Sequence, residues 1–512
     1  MSEAATRPSA DPGALLASLD PLLRGWLPRQ RWFAGKGRPV AGFDLVAATE
    51  LLPPGAEQGL LHLLIRVRQP LPGSAPTADH ELPADCYQLL LGIRTELPPR
   101  LAPALIGHVT GGALAGRTVY EALYDPRLAA LLLERLRLPG RLGVLRFLRA
   151  RGAGGGQDSP GSPDGPGSLD SRGSAGAPAA GNAHGIDIPP GLVPRALGVE
   201  QSNSSLVYGD TFILKLFRRV VPGVNPDLEL PLALAAQGCR RVPPPAAWLT
   251  ADGADEPLVL GVLQPYVAGA KDGWELALQS LAKGTDFSAE ARALGRATAE
   301  VHAALAAALP TVTLGRAQVE LLARGMTERL RAAVRAVPAL RPYAPALRTA
   351  YDALADLAAE GETQLMAQRV HGDLHLGQCL RAPSGTWSLI DFEGEPARPL
   401  AERRMPQPPA RDVAGMLRSF DYAARSNHPW TPEWADTCRA AYCSGYADVS
   451  GRDPRTSPVL LRAHETDKAV YEAVYEARHR PDWLPVPLAA LDRLATGSTR
   501  EEATDPGTDA PL

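Results

Sequence analysis

Over residues 12–26 apolar positions recur at helical spacing. The rhythm then changes to short apolar runs at 43–46, 60–67 and 87–93, separated by turns such as Leu52-Pro53-Pro54-Gly55. A helix followed by turn-bounded β-rich runs predicts a small α+β unit with an antiparallel sheet. Further apolar segments fill 98–149, with a helix expected over 126–137. Residues 152–185 are Gly, Ser, Pro, Ala and Asp with almost no apolar content. Such a stretch cannot bury enough surface to offset its ordering entropy, so a disordered loop is expected there. Pattern resumes near 192. Residues 206–217 read as a hairpin turning at Gly209-Asp210, followed by a helix over 226–238, a strand over 242–249 and an apolar run at 258–267. From about 270 onward the spacing is mainly helical, interrupted by one short hairpin.

Composition narrows the class. A chain of 512 residues exceeds one ordinary core, so two or three compact units are expected. A net charge of −3 gives no electrostatic footprint for nucleic acid or anionic lipid, and neither is expected as a partner. The five cysteines are scattered and odd in number, which predicts no disulfide framework. Residues 1–11 are small and polar and the first apolar stretch contains Asp20 and Arg24, so no secretory signal is expected; with no run near ~18 apolar residues no membrane span is expected either, and the cytoplasm is the expected compartment. Lysine is scarce: Lys36, Lys215, Lys271, Lys283 and Lys468 stand against a background of arginine. Arginine does not replace a compact ammonium at a phosphate or a sugar hydroxyl, so each retained lysine raises a functional question.

The strongest chemical motif is His371-Gly372-Asp373-Leu374-His375-Leu376-Gly377-Gln378, followed by Leu389-Ile390-Asp391-Phe392-Glu393. The segment between reads as a hairpin turning at Pro383-Ser384-Gly385. Antiparallel strands joined by a tight turn bring their far ends together, so Gln378 and Asp391 are expected to face one site. That arrangement suits phosphoryl transfer, with Asp373 as the base and Asp391 and Gln378 holding Mg²⁺ on ATP. Glu393 is a further candidate metal ligand, and a solvated glutamate is the alternative. With this motif, a strand-rich lobe before a helical lobe predicts an α+β, bilobal protein-kinase-like fold. Its expected parts are an N-terminal antiparallel-sheet cap (1–95), an intermediate subdomain (96–200), an N-lobe core (201–268) and a mainly helical C-lobe (269–512).

Other candidates are arranged around that motif. Lys215, flanked by apolar residues on a strand, is assigned to the ATP phosphates and steadied by Glu229, with Asp227 as the fallback; a snorkelling strand-edge lysine is the alternative. Ser202, Asn203 and Ser204 stand where a phosphate-covering loop would lie, although a plain polar turn reads equally well. Gln264 and Tyr266 mark a hinge for the adenine edge, or simply a strand end. His302 and His371 read as structural, the latter bracing its loop, and Asp412 reads as the cap of a helix. Lys468, Tyr471 and Tyr475 fall at i, i+3 and i+7 on one helix face, where an ammonium and two phenols suit sugar hydroxyls. Trp483 just beyond is placed to stack on a sugar ring. Partly buried core tyrosines are the alternative.

Taken together, 371–378, 389–395, 411–420 and 467–487 resemble the actinobacterial maltokinase family. Arg31-Trp32-Phe33-Ala34-Gly35-Lys36-Gly37-Arg38 is similar to its leading signature. The catalytic pair alone resembles the wider aminoglycoside-phosphotransferase-like superfamily. The resemblance implies ATP-dependent phosphorylation of maltose at its anomeric hydroxyl, feeding α-glucan synthesis, and an association with trehalose synthase. It also implies that Asp373 is the base, Gln378 and Asp391 the metal ligands and Lys215 the phosphate lysine, with Lys468, Tyr471, Tyr475 and Trp483 at the maltose site. The rival expectations are a kinase acting on an aminoglycoside, choline or another sugar, and a catalytically silent nucleotide-binding partner of trehalose synthase.

Overall fold

The computed structural model describes residues 11–55, 57–70, 84–150, 185–198, 203–253, 256–359, 365–395, 398–427 and 430–501. The stretch 152–185 expected to be disordered, all but its last residue, lies outside the described residues. So does Ser202. The chain divides into two compact units, one made of Met1–Leu232 with Pro244–Ala268, the other of Ala233–Pro243 with Gly269–Leu512.

In the first unit the helix Pro12–Trp26 is capped by Asp11, whose Oδ2 accepts the Ala14 N–H at 3.0 Å. Its buried face, Leu15, Leu19, Leu23 and Trp26, recurs at helical spacing and joins a core with Trp32, Phe33 and Tyr87. A six-stranded sheet runs in the order Gly42–Leu52, Gly59–Arg68, Ala84–Arg94, Thr118–Glu121, Leu105–His108, with Arg219–Val220 pairing to Ala84–Arg94. The unbroken apolar run at 60–67 follows from cover on both faces. Leu60 and Leu64 enter one core while Leu61, Leu63 and Ile65 enter another, as the two-residue period of a strand demands.

The second sheet of this unit has seven antiparallel strands, ordered Gly140–Leu142, Leu145–Arg149, Ala247–Ala251, Leu258–Pro265, Phe212–Phe217, Asn203–Tyr208, Pro194–Leu197. Residues read as an intermediate subdomain thus supply strands to the same sheet as the N-lobe core. The expected hairpin is present, with Gly209 at φ 55° and Asp210 at φ 49°. Two consecutive positive φ values are the requirement of the tight turn that matches strand twist.

Among the described residues the second unit is helical apart from one three-stranded and one two-stranded sheet of short strands. Gly295 on Ser288–Ala308 and Gly445 on Pro432–Ser450 let these helices approach until a Cβ at either position would strike the Tyr442 or the Arg292 carbonyl. Gly415 lets Ala410–Ser426 lie against the Leu374 carbonyl in the same way. The long helix Pro458–His479 packs on Ala410–Ser426 and on the pair Arg316–Ala336 and Ala344–Ala359. Among the described residues no helix is long and apolar enough to cross a membrane.

Candidate active site

Strands Cys379–Arg381 and Trp387–Leu389 pair with Cys379 opposite Leu389. The ladder continues past them, because Ile390 N–H donates to the Gln378 carbonyl at 3.0 Å. The far ends of the hairpin therefore meet, and Gln378 Nε2 donates to Asp391 Oδ2 at 2.9 Å. Asp391 has φ 67°, in the left-handed region that aspartate tolerates better than most residues. Carboxylate oxygens of Asp391 and Glu393 lie within 4.8 Å of each other. A carboxamide and two carboxylates form a hard-oxygen donor set of the kind Mg²⁺ takes. In the arrangement seen, the Gln378 amide presents nitrogen to Asp391, so its oxygen would face a cation after a half-turn of the amide.

The preceding loop is held by groups from several helices. Asp412 Oδ2 accepts the His371 N–H at 2.7 Å and Oδ1 the Gly372 N–H at 2.8 Å. His302 Nε2 lies 3.0 Å from the same carboxylate, and its Nδ1 is 2.9 Å from the Tyr446 hydroxyl. Burial alone would raise the Asp412 pKa. The His302 hydrogen bond, the His302 and His371 rings and the Gly372 N–H outweigh it and hold the carboxyl below its usual range. Asp412 is thus not the helix cap expected from sequence. The cap of Ala410–Ser426 is Pro409, and the Asp412 oxygens are already committed to the loop.

His371 acts within the loop. Its Nδ1 accepts the Asp373 N–H at 3.4 Å, which leaves the proton on Nε2 for the Ile390 carbonyl at 2.9 Å. Its ring lies 4.6 Å from that of Phe392. One side chain therefore links the two motif segments.

Asp373 Oδ1 lies 2.8 Å from the Lys468 ammonium, and the Asp373 side chain remains 21% exposed. Lys468 also reaches Glu395 Oε1 at 3.3 Å. Glu395 is bound in turn by Arg398 at 2.7 Å and Arg411 at 2.9 Å, and Arg411 donates to the Gly372 carbonyl at 3.2 Å. Burial would push the Glu395 carboxyl up, but Lys468, Arg411 and Arg398 bring it down to about 2. For Lys468 burial alone would lower the pKa, and the carboxylates of Asp373, Glu395 and Glu472 raise it above the ordinary lysine value instead. Lys468 thus stands on two carboxylates, where the sequence had placed an ammonium open to sugar hydroxyls.

Glu395, Arg398 and Arg411 were not among the residues expected to matter. The available signal was the second acid of Asp391-Phe392-Glu393-Gly394-Glu395 and the Arg411-Asp412 pair.

Tyr471 shares the Lys468 face of Pro458–His479, with Lys468 Nζ 5.0 Å from its ring centre. It lines a cleft of about 360 Å³ together with Glu395, Glu402, Arg329, Val470 and Arg478. Tyr475 stacks on Tyr471 at 6.4 Å, and Arg480 lies over both Tyr475 and Trp483, at 5.6 and 5.3 Å. Tyr475 and Trp483 are thus joined to each other through Arg480 and stand outside the cleft wall.

In the first unit Lys215 occupies an inner strand, opposite Ser205 on one neighbouring strand and Val262 on the other. Its ammonium is 2.9 Å from Oδ2 of Asp227, the carboxylate expected as the fallback. Asp227 lies in the first helical turn, its N–H donating to Asn225 Oδ1 at 2.8 Å, where a carboxylate is favoured by the helix dipole. Asn203 and Ser204 belong to the strand Asn203–Tyr208 and not to a loop, and Ser204 Oγ accepts from Arg218 Nε at 2.8 Å. Gln264 pairs with Ile213 in the sheet. Tyr266 N–H donates to the Thr211 carbonyl at 2.8 Å, so this donor is already committed, and its own carbonyl accepts from Ala268 at 3.0 Å.

Residues 26–125 match the maltokinase N-terminal cap domain, and residues 191–456 match the phosphotransferase enzyme family. A glucosamine kinase of Streptacidiphilus jiangxiensis is 33% identical over 327 residues, which is 59% of this chain and 73% of that protein. One from Mycolicibacterium smegmatis is 32% identical over 343 residues, 60% of this chain and 80% of the relative. A solved glucosamine kinase, in complex with glucosamine, ADP and inorganic phosphate, is similar with a TM-score of 0.59 at 25% identity, over 93% of this chain and 98% of the other.

Proposed function

The chain belongs to the phosphotransferase enzyme family, and from that premise we propose that it transfers the terminal phosphoryl group of ATP to a hydroxyl of glucosamine. The observation that carries the kinase reading is the contact between Gln378 and Asp391 beside a loop whose Asp373 keeps an accessible carboxylate. The acceptor oxygen forms a bond to the γ-phosphorus as the bond to the β-bridging oxygen breaks. Asp373 receives the hydroxyl proton, and ADP leaves. Gln378, Asp391 and Glu393 are the groups assigned to Mg²⁺, which when bound neutralises phosphate charge. Lys215 is assigned to the phosphates, steadied by Asp227. An ATP-consuming enzyme of this kind is expected to work in the cytoplasm.

For the acceptor we favour the cleft beside Tyr471. Its volume suits a small ligand, Val474 offers an apolar patch to a sugar face, and Glu395 in its wall is connected to Asp373 through Lys468. Glu402 on its rim is an exposed carboxylate, a natural partner for a protonated amine. Glucosamine carries such an amine and maltose does not. Maltose is the second reading, favoured by the match of 26–125 to the maltokinase cap and by the sequence resemblance. Association with trehalose synthase goes with that second reading.

The test is ADP release by the purified protein with MgATP and glucosamine, maltose or no acceptor, with the product identified by phosphorus NMR. Rapid turnover with glucosamine supports the first reading. Turnover with maltose alone moves the assignment to the second, and no sugar-dependent ADP release would remove both.

A further inference from the structure

Of the five lysines, Lys36, Lys271 and Lys283 are exposed. The other two each hold a carboxylate at hydrogen-bond distance: Lys215 that of Asp227 and Lys468 that of Asp373. The second pair is the less obvious one, because its members are 95 residues apart and come from the 371–378 loop and from Pro458–His479.

An ammonium has three protons to direct. One of those on Lys468 goes to Asp373 Oδ1 at 2.8 Å and one to Glu395 Oε1 at 3.3 Å. Glu395 cannot follow a moving partner, since Arg398 and Arg411 hold its other oxygen and Arg411 is tied to the Gly372 carbonyl. Lys468 is therefore anchored on its far side by a carboxylate that two guanidinium groups fix. On its near side it fixes Oδ1 of Asp373, and the other carboxylate oxygen is left to face an acceptor. The site between the two acids suits a compact ammonium better than a planar fork.

We propose, on the basis of the kinase reading above, that Lys468 is a positioning residue for Asp373, held in place by Glu395, and not a ligand of the sugar. A base misplaced by about 1 Å loses on the order of 100-fold in rate. A lost sugar ligand would instead raise KM and spare kcat.

The experiment compares wild type, Lys468→Met and Lys468→Gln, the second keeping a polar end in case the first folds poorly, each also in an Asp373→Ala background. Nucleotide affinity reports on folding. Expected is a fall in kcat of about 100-fold in both single variants, the sugar KM staying within about twofold, and no further loss when Asp373 is already absent. A raised KM with kcat preserved, or an undiminished loss in the Asp373→Ala background, would overturn the proposal. Should the wild type phosphorylate neither sugar, the kinase reading fails separately. The same cycle is then read on Tm, where non-additive shifts support the Asp373–Lys468 unit and additive shifts overturn it.

Discussion

Asp412 Oδ1 accepts the Gly372 N–H at 2.8 Å across 40 residues of chain, and Arg411, one residue earlier, binds the carbonyl of the same glycine. Gly372 has φ 85°, a conformation that a side chain would strain, so the clamp grips the loop at the point where glycine is required. Replacing Asp412 with Ala leaves the N–H groups of His371 and Gly372 and the His302 ring without this acceptor. A loss on the order of 3 kcal/mol is expected, since each buried orphan costs roughly 1–3 kcal/mol. Asp412→Asn keeps one acceptor oxygen and should lose less. Urea unfolding checks this, through a lowered midpoint at unchanged slope. An alanine variant with the wild-type midpoint would show that the loop stands without its brace.

Much of this arrangement was legible in the chain because it rests on local rules. Turn chemistry at Gly209-Asp210 and Pro383-Ser384-Gly385 set both hairpins, and hairpin geometry alone brought Gln378 to Asp391. Scarcity of lysine raised a question about all five lysines, and of these Lys215 and Lys468 hold carboxylates. Spacing alone left the partners open. Whether Asp227 or Glu229 meets Lys215 depends on the orientation of the helix Pro226–Ala236, and whether Lys468 meets a sugar or Asp373 depends on how Pro458–His479 packs. Asp412 was misread for the same reason: an acid in a first turn looks like a cap until a distant loop claims its oxygens. Helix spacing gives a face, and only packing says what that face meets.

Asp373→Ala should remove most sugar phosphorylation while leaving the protein folded. General base groups contribute about 10²–10⁴-fold, and a fall of that order in kcat is expected. Lys468 retains Glu395 as a partner in this variant, so no ammonium is left without a counter-charge. Near-normal turnover with an unchanged Tm would remove Asp373 from the reaction.

The metal assignment predicts a shifted Mg²⁺ requirement. Activity should vanish with EDTA and return with added Mg²⁺. Asp391→Asn should raise the Mg²⁺ concentration for half-maximal rate by about 10–100-fold, and Gln378→Ala by less, since the carboxylate supplies the charge. Identical Mg²⁺ titrations for wild type and both variants would place the metal elsewhere.

Two buried histidines should make the protein sensitive to mild acid. His62, between Gln88 and the guanidinium of Arg218, is brought down to about 4, first by burial and further by that charge, with the Gln88 hydrogen bond working against both. His464 is likewise lowered to about 4, chiefly by burial. An unfolded imidazole takes up its proton near 6.5, so between that pH and about 4 the unfolded state binds more protons than the native one. The stability each neutral ring contributes is present above about 6.5 and is lost as the pH falls toward 4, on the order of 3 kcal/mol per ring. His62→Leu abolishes this term in the first unit at the cost of the Gln88 hydrogen bond, roughly 1 kcal/mol. The variant should therefore start below wild type at pH 7.5 and match or overtake it near pH 4.5. Tm measured across that range decides the matter, and parallel curves for the two proteins would mean that His62 does not titrate on unfolding.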